Sequence, residues 1–324
     1  MHEFSTRPRL ADAHPIPFTD PAPASAMHIG CRVEGHGPAV VLLHSSMGSK
    51  SQWRSLVDCM RGTHRLIAID LHGYGESAMP ESSERFSLLD EVRLVQSALA
   101  PLLAPGECYD LAGHSYGGGV ALRLAYADPE RVRSLCLYEP TAFHLLDHSD
   151  PVLQGIRTVA QATRSAIQDG HSAQGTERFI DYWSGAGAYA ALAPSRQALL
   201  ASLLPKVPLD FQALLNEPLR PSDYSRIGAP TCLIAGHQSP DCVHAIVAIL
   251  AAVLPNQETH RISAGHMGPL THPELVNPLI GGFIRSIGVE TRTPAMRTRP
   301  KSVFTPETAG TRPWRRAPGK PACS

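Results

Sequence analysis

The chain has 324 residues, 43% hydrophobic and 18% charged, a balance that suits a globular protein with a sizeable core. Lys plus Arg and Asp plus Glu both number 29, but residues 291–324 hold eight of the basic residues and one acid, so the rest carries 21 basic against 28 acidic residues. That mildly acidic body argues against a nucleic-acid-binding core, and no run approaches the roughly 18 consecutive apolar residues of a membrane span.

The seven cysteines include no C-x-x-C pair and no metal-ligand spacing. Buried free thiols, as at Cys136 and Cys232, and a reducing cytoplasmic setting are the expectation. Residues 1–25, rich in Pro, Ala and His without an apolar signal core, read as a disordered leader. Regular structure is expected from Met27 to Val33, then in a strongly apolar strand, Ala39 to Leu43, that runs into His44-Ser45-Ser46-Met47-Gly48. A helix over Gln52 to Met60 follows, then a strand from His64 to Ile69 ending at Asp70-Leu-His-Gly-Tyr-Gly-Glu-Ser77. The helix Ser87 to Leu103 shows apolar residues at 88, 92, 95, 99 and 103 and stops at Pro105-Gly106.

Next comes the most informative stretch, Gly113-His114-Ser115-Tyr116-Gly117. It lies between an expected strand, Tyr109 to Ala112, and an expected helix, Val120 to Ala127. A serine hydroxyl becomes a useful nucleophile only when it is exposed and a base can take its proton. A sharp strand-to-helix turn does the exposing and demands small residues on both flanks, which Gly113 and Gly117 supply. Arg131 to Tyr138 is a further strand, ending at Glu139-Pro140. Strands alternating with helices at this spacing indicate a mostly parallel sheet, in which sites form beyond the carboxyl ends of the strands.

Residues 141–225 break the alternation with helix-like stretches (Val152 to Ile167, Arg178 to Tyr182, Ser195 to Leu204) and read as a helical cap inserted between the core segments 26–140 and 226–290. Trp183, Tyr182, Phe179, Tyr189 and Phe211 are candidates for its underside. Strand order resumes with Pro230 to Ala235, helix Pro240 to Leu254 and strand Glu258 to Ile262, which leads into Ala264-Gly265-His266-Met267-Gly268-Pro269. A closing helix, Glu274 to Ile287, ends the core, and residues 291–324 read as a disordered basic tail.

With G-H-S-Y-G-G, D-L-H-G-Y-G-E-S, L-L-H-S-S and A-G-H-M-G-P in this order, residues 28–288 resemble the α/β-hydrolase superfamily. Within it they resemble the capped serine hydrolases related to esterases, carbon–carbon bond hydrolases and haloperoxidase-like enzymes. The resemblance implies an α/β fold with a mostly parallel central sheet, flanking helices and a helical cap, and the chain order nucleophile, acid, histidine. Ser115 then matches the nucleophile and His266 the base; His272 and His114 read as structural.

The acid departs from the commonest pattern. Relatives usually carry Asp three residues after the glycine ending the penultimate strand, and here that position is Ser239. Asp241 lies close by but suits a helix start with Ser239 as N-cap and Pro240 at the first position. Glu139, after the preceding strand, is the other place for the acid and the preferred one, with Asp241 as the alternative. The oxyanion donors implied are the backbone N–H groups of Tyr116 and Ser46, with His44 bracing the loop and Asp70 fixing its turn.

No metal and no cofactor is expected: His144, Asp147, His148 and Asp150 match no strong ligand spacing, and Gly73 and Gly75 lack the rest of a dinucleotide fingerprint. The expected activity is cleavage of a carboxylic ester or related small-molecule acyl compound through an acyl-enzyme. The alternatives are a C–C bond hydrolase or acyltransferase of the same fold, or a non-catalytic ligand-sensing member.

Overall fold

A computed structural model of the protein describes residues 28–290. The expected leader, 1–25, and basic tail, 291–324, lie outside the described residues. Seven strands form one sheet: β1 (Cys31–Gly35), β2 (Ala39–Leu43), β3 (Arg65–Ile69), β4 (Tyr109–His114), β5 (Val132–Tyr138), β6 (Thr231–Gly236) and β7 (Gln257–Ile262). Their spatial order is β1-β3-β2-β4-β5-β6-β7; β1 pairs antiparallel with β3 at one edge, and every other pairing is parallel. Strands β2, β4 and β6 are buried along their whole length, as strands covered on both faces must be.

The period-2 alternation of a strand sends neighbouring side chains to opposite layers. Ala39, Val41 and Leu43 join one core with α2 (Leu88–Leu99), α3 (Tyr116–Ala127) and α8 (Asp241–Val253), while Val40 and Leu42 join a second core with α1 (Arg54–Met60) and α10 (Pro273–Glu290). Between β5 and β6 the chain adds α4 (Pro151–Gln168), α5 (Ser172–Ser184), α6 (Pro194–Leu203) and α7 (Val207–Leu215), and after β7 the single turn α9 (Gly268–Thr271).

Three of the differences from the sequence reading bear on the site. Helix α3 begins at Tyr116 rather than Val120, because Gly117, Gly118 and Gly119 form its first turns instead of a loop. Helix α7 adds to the expected cap helices; Pro208 occupies its first turn, where no N–H partner is required. Helix α8 begins at Asp241 with Pro240 at the N-cap and no side-chain cap, so Ser239 is not the N-cap expected.

The inserted helices are joined to the core by a buried polar cluster. Lys206, 1% exposed between α6 and α7, donates to Glu91 Oε1 of α2 at 3.1 Å and pairs with Asp210 of α7. Asp210 also accepts from Tyr74 OH at 2.5 Å and from Ser46 Oγ at 2.6 Å, and Glu91 accepts from Tyr116 OH at 2.8 Å. Burial works against the Lys206 charge, but the Asp210 and Glu91 carboxylates outweigh it and hold its pKa above the usual value. The segment Pro194–Leu215 is long and apolar enough to cross a membrane by length and composition, yet it carries the buried charges Lys206 and Asp210 of this cluster.

Removing one partner of such a cluster leaves uncompensated buried charge. Lys206→Met is therefore expected to cost about 3 kcal/mol, read as a melting temperature lower by roughly 6–12 °C for a chain of this size. A second test concerns His144, whose Nδ1–H donates to the Leu214 carbonyl and whose Nε2 accepts from Tyr224 OH at 2.8 Å. Burial pushes its pKa down to about 4, so between pH 6.5 and 4 the unfolded chain binds more protons than the folded one. Stability from this site is complete above pH 6.5 and falls as pH drops through that window. Thermal melts from pH 7 to 4.5 should show a shallower loss in His144→Gln than in the native chain, once each is referred to its own pH 7 value.

Candidate active site

The loops following β2, β3, β4, β5, β6 and β7 all emerge at the carboxyl ends of the parallel strands, and the polar residues singled out by sequence meet there. At the end of β4 the chain turns so sharply that Ser115 is held at φ 54°, ψ −117°, a conformation strained for a residue with a side chain. A Cβ on Gly113 would run into the Gly117 backbone, and one on Gly117 would run into the carbonyls of Leu43 and His44. The G-x-S-x-G spacing is thus a packing requirement of the turn. The turn is fixed by Ser115 N–H to the Tyr138 carbonyl at 3.0 Å and Thr141 N–H to the Ser115 carbonyl at 3.1 Å.

Three side chains form a continuous buried hydrogen-bonded chain. Ser115 Oγ lies 2.9 Å from His266 Nε2, and His266 Nδ1 lies 2.6 Å from Glu139 Oε2. All three are nearly closed to solvent, at 6%, 3% and 0% exposure. A carboxylate accepts only, so Nδ1 carries the proton toward Glu139 and Nε2 presents its lone pair to the serine hydroxyl. The other carboxylate oxygen, Glu139 Oε1, accepts from Gly236 N–H at 2.6 Å and from Ser239 Oγ at 2.5 Å. Ser239, at the position where an aspartate was missed, therefore supports the carboxylate supplied by β5 instead of replacing it. Asp241 is exposed at the start of α8 and does not bond His266.

The loop bearing His266 is braced from behind. His114 Nε2–H donates to the His266 carbonyl at 2.8 Å and Tyr138 OH donates to the Gly265 carbonyl at 2.8 Å. Burial holds the His114 pKa well below the usual histidine value, so it acts as a neutral donor. His272 only reaches the outer wall, against Thr271. On the opposite side, His44 Nδ1–H donates to the Ser45 carbonyl at 2.7 Å and Nε2 accepts from Leu71 N–H at 3.0 Å, tying the loop after β2 to the loop after β3. Asp70 fixes the second loop through Glu76 N–H at 2.9 Å and Lys50 Nζ at 2.6 Å. Ser45 N–H and Oγ are both engaged by Gln52 Oε1, at 3.1 and 2.9 Å, while Ser46 lines the space around Ser115.

Ser115 stands where two cavities meet. An outer cleft of ≈ 530 Å³ is walled by His266, Met267, Leu270, Leu192 and Leu200. An inner chamber of ≈ 10 Å³ is lined by Ser46, Thr141, Phe143, Asp210 and Leu214. Phe179 and Trp183 of α5 border both, and the Trp183 ring stacks on the His266 ring with centroids 4.2 Å apart and planes 25° apart. Of the five aromatics considered from sequence, Trp183, Phe179 and Phe211 reach the cavities, whereas Tyr182 bonds Cys242 and Tyr189 packs with Gln197.

Sequence reasoning missed Asp210, Lys206, Glu91 and Thr141. A signal existed for three of them: Lys206 and Asp210 are an i,i+4 opposite-charge pair in an otherwise apolar stretch, and Glu91 interrupts the apolar stripe of α2.

The histidine-rich stretch after β5 does not converge on a metal. His144 bonds Leu214 and Tyr224, Asp147 takes Ser149, and Asp150 caps α4 through Val152 N–H. Among the described residues the one group of three metal-capable atoms within 4.8 Å is Cys232, Glu258 and His260, on the β6–β7 pair.

Residues 38–273 match the family model described as the alpha/beta hydrolase fold. The chain is 25% identical over 264 residues to a 2-hydroxymuconate semialdehyde hydrolase of Pseudomonas putida, covering 78% of this chain and 88% of that one. It is 24% identical over 263 residues to a monoacylglycerol lipase of Mus musculus, covering 78% and 77%. Among solved structures it resembles a thermophilic esterase from Thermogutta terrifontis, with TM-score 0.65, 20% identity and coverage of 82% of this chain and 96% of that one. The sheet order, the strained serine turn and these matches agree: the chain belongs to the α/β-hydrolase fold family.

Proposed function

We propose that the protein is a serine hydrolase that cleaves a carboxylic ester or closely related acyl compound through a covalent acyl-enzyme. The observation that carries this reading is the aligned chain Ser115 Oγ–His266 Nε2/Nδ1–Glu139 Oε2, closed from solvent yet facing two connected cavities. A non-catalytic ligand sensor has no need for a hydroxyl held at strained φ within 2.9 Å of a correctly oriented imidazole.

In the first half-reaction His266 Nε2 takes the Ser115 proton as Oγ forms a bond to the substrate carbonyl carbon. The carbonyl electron pair moves onto oxygen, where the N–H groups of Ser46 and Tyr116 receive it. Ser45 N–H is already taken by Gln52, which favours Ser46 as the loop donor, and Tyr116 opens α3, so the helix dipole adds to its N–H. Glu139 keeps the imidazole in the productive tautomer and stabilises its cation. The Trp183 face, stacked on the ring, adds a cation–π contribution once the proton has moved. Collapse of the tetrahedral adduct breaks the bond to the leaving group, which takes the proton from His266. Water then repeats the sequence on the acyl-enzyme, with His266 as its base, and releases the carboxylic acid and free Ser115.

The likeness to a 2-hydroxymuconate semialdehyde hydrolase supports testing carbon–carbon cleavage beside ester cleavage, since both begin with the same constellation. Purified protein should hydrolyse phenyl esters with a signal that disappears in Ser115→Ala, a loss of about 10⁶-fold in kcat. Glu139→Gln should lose roughly 10⁴-fold, because the amide favours the wrong imidazole tautomer. Preferred turnover of a dienone over every ester would replace the ester reading with carbon–carbon hydrolysis, and full activity in Ser115→Ala would remove the nucleophile.

A further inference from the structure

The two cavities at Ser115 differ in size by more than an order of magnitude, and chemistry decides which part of a substrate enters each. The leaving group must take its proton from His266, so it departs on the side walled by His266, Gly265 and Met267, which is the outer cleft. The remaining substituent of the carbonyl, the acyl group, is left to the inner chamber beneath α7, lined by Thr141, Phe143, Asp210 and Leu214. That chamber measures ≈ 10 Å³, against ≈ 530 Å³ for the outer cleft.

Two polar features of the chamber are unexplained by the hydrolytic chain. Thr141, 2% exposed, has its backbone N–H fixed to the Ser115 carbonyl, yet its Oγ1 is buried without a hydrogen-bond partner. Asp210, also 2% exposed, lines the same space; its Oδ2 is held by Ser46 and Tyr74 and its Oδ1 by Lys206. Buried hydroxyls are rarely left unpaired, and a polar site of this size takes either one water or one small polar group of a ligand. Val207, Phe211 and Leu214 supply apolar lining to the same chamber.

Resting on the serine-hydrolase reading, we propose that the inner chamber is the acyl subsite. It selects a two- or three-carbon acyl group with a hydroxyl next to the carbonyl, while the outer cleft takes a larger, mostly apolar alcohol. In this arrangement the 2-hydroxyl donates to Asp210 and accepts from Thr141 Oγ1–H, giving the buried Thr141 hydroxyl the partner it lacks. Lys206 holds Asp210 in place from behind, and Leu214 sets the depth of the pocket.

The test compares kcat/KM for phenyl acetate, phenyl glycolate and phenyl octanoate on the full chain and on Thr141→Val and Leu214→Ala. The native chain should prefer acetate to octanoate at least tenfold, and Leu214→Ala should shift that ratio toward octanoate by a similar factor. Glycolate reacts faster for intrinsic reasons, so the informative quantity is the glycolate-to-acetate ratio, which should fall about fivefold or more in Thr141→Val. Octanoate turned over as well as acetate by the native chain would overturn the short-acyl assignment. A glycolate-to-acetate ratio unmoved by Thr141→Val would overturn the hydroxyl recognition and leave Thr141 as a water site. If Ser115 fails to react with a fluorophosphonate and no ester is cleaved, the hydrolase reading fails instead, which the acyl-length series alone cannot produce.

Discussion

The arrangement of the site depends on one buried contact, the 2.6 Å hydrogen bond between His266 Nδ1 and Glu139. An imidazole on a loop after the last strand is free to turn, and only a fixed acceptor selects the tautomer that points Nε2 at Ser115. Glu139 is fixed because its other oxygen is held by Gly236 N–H and Ser239 Oγ, both from the neighbouring strand β6 and the loop after it. Its backbone sits at φ 48°, an uncommon value for a residue with a side chain. The strain at Glu139 and at Ser115 is supported by the parallel strands on either side, which are buried at the ends nearest the site and leave little room for relaxation.

A second constraint works from the opposite side of the nucleophile. Ser46 is bound to Asp210, Asp210 to Lys206, and Lys206 to Glu91, which in turn accepts from the Tyr116 hydroxyl. The two residues read as oxyanion donors are therefore both attached, through their side chains, to the cluster that holds the inserted helices on the core. Packing of the insertion and geometry of the loop after β2 are coupled in this way. A displacement of α7 would be felt at Ser46 before it reached Ser115.

How much of this was legible in the sequence follows from how local each signal is. The serine turn is a short-range packing problem, so five residues with their flanking strand and helix reveal it. His266 is marked by the glycine before it and by its place after the last strand. The choice of Glu139 over Asp241 was open because each carboxylate has a plausible local role; it is decided by Ser239, whose hydroxyl turns to Glu139 instead of capping α8. The Lys206–Asp210–Glu91 cluster was passed over because charged residues on helices are ordinarily solvated, and only the fold brings residues 91, 206 and 210 together. Thr141 carries no sequence signal at all, since an unpaired hydroxyl is a property of its surroundings.

The central claim is that Ser115 is activated through His266 by Glu139. The most direct measurement is the rate of fluorophosphonate labelling of the native chain, Ser115→Ala, Glu139→Gln and Asp241→Asn, each checked for folding by its melting temperature. The account predicts rapid labelling of the native chain, none of Ser115→Ala, a large loss in Glu139→Gln and a native rate in Asp241→Asn. A native rate in Glu139→Gln, with the loss appearing in Asp241→Asn, would contradict it.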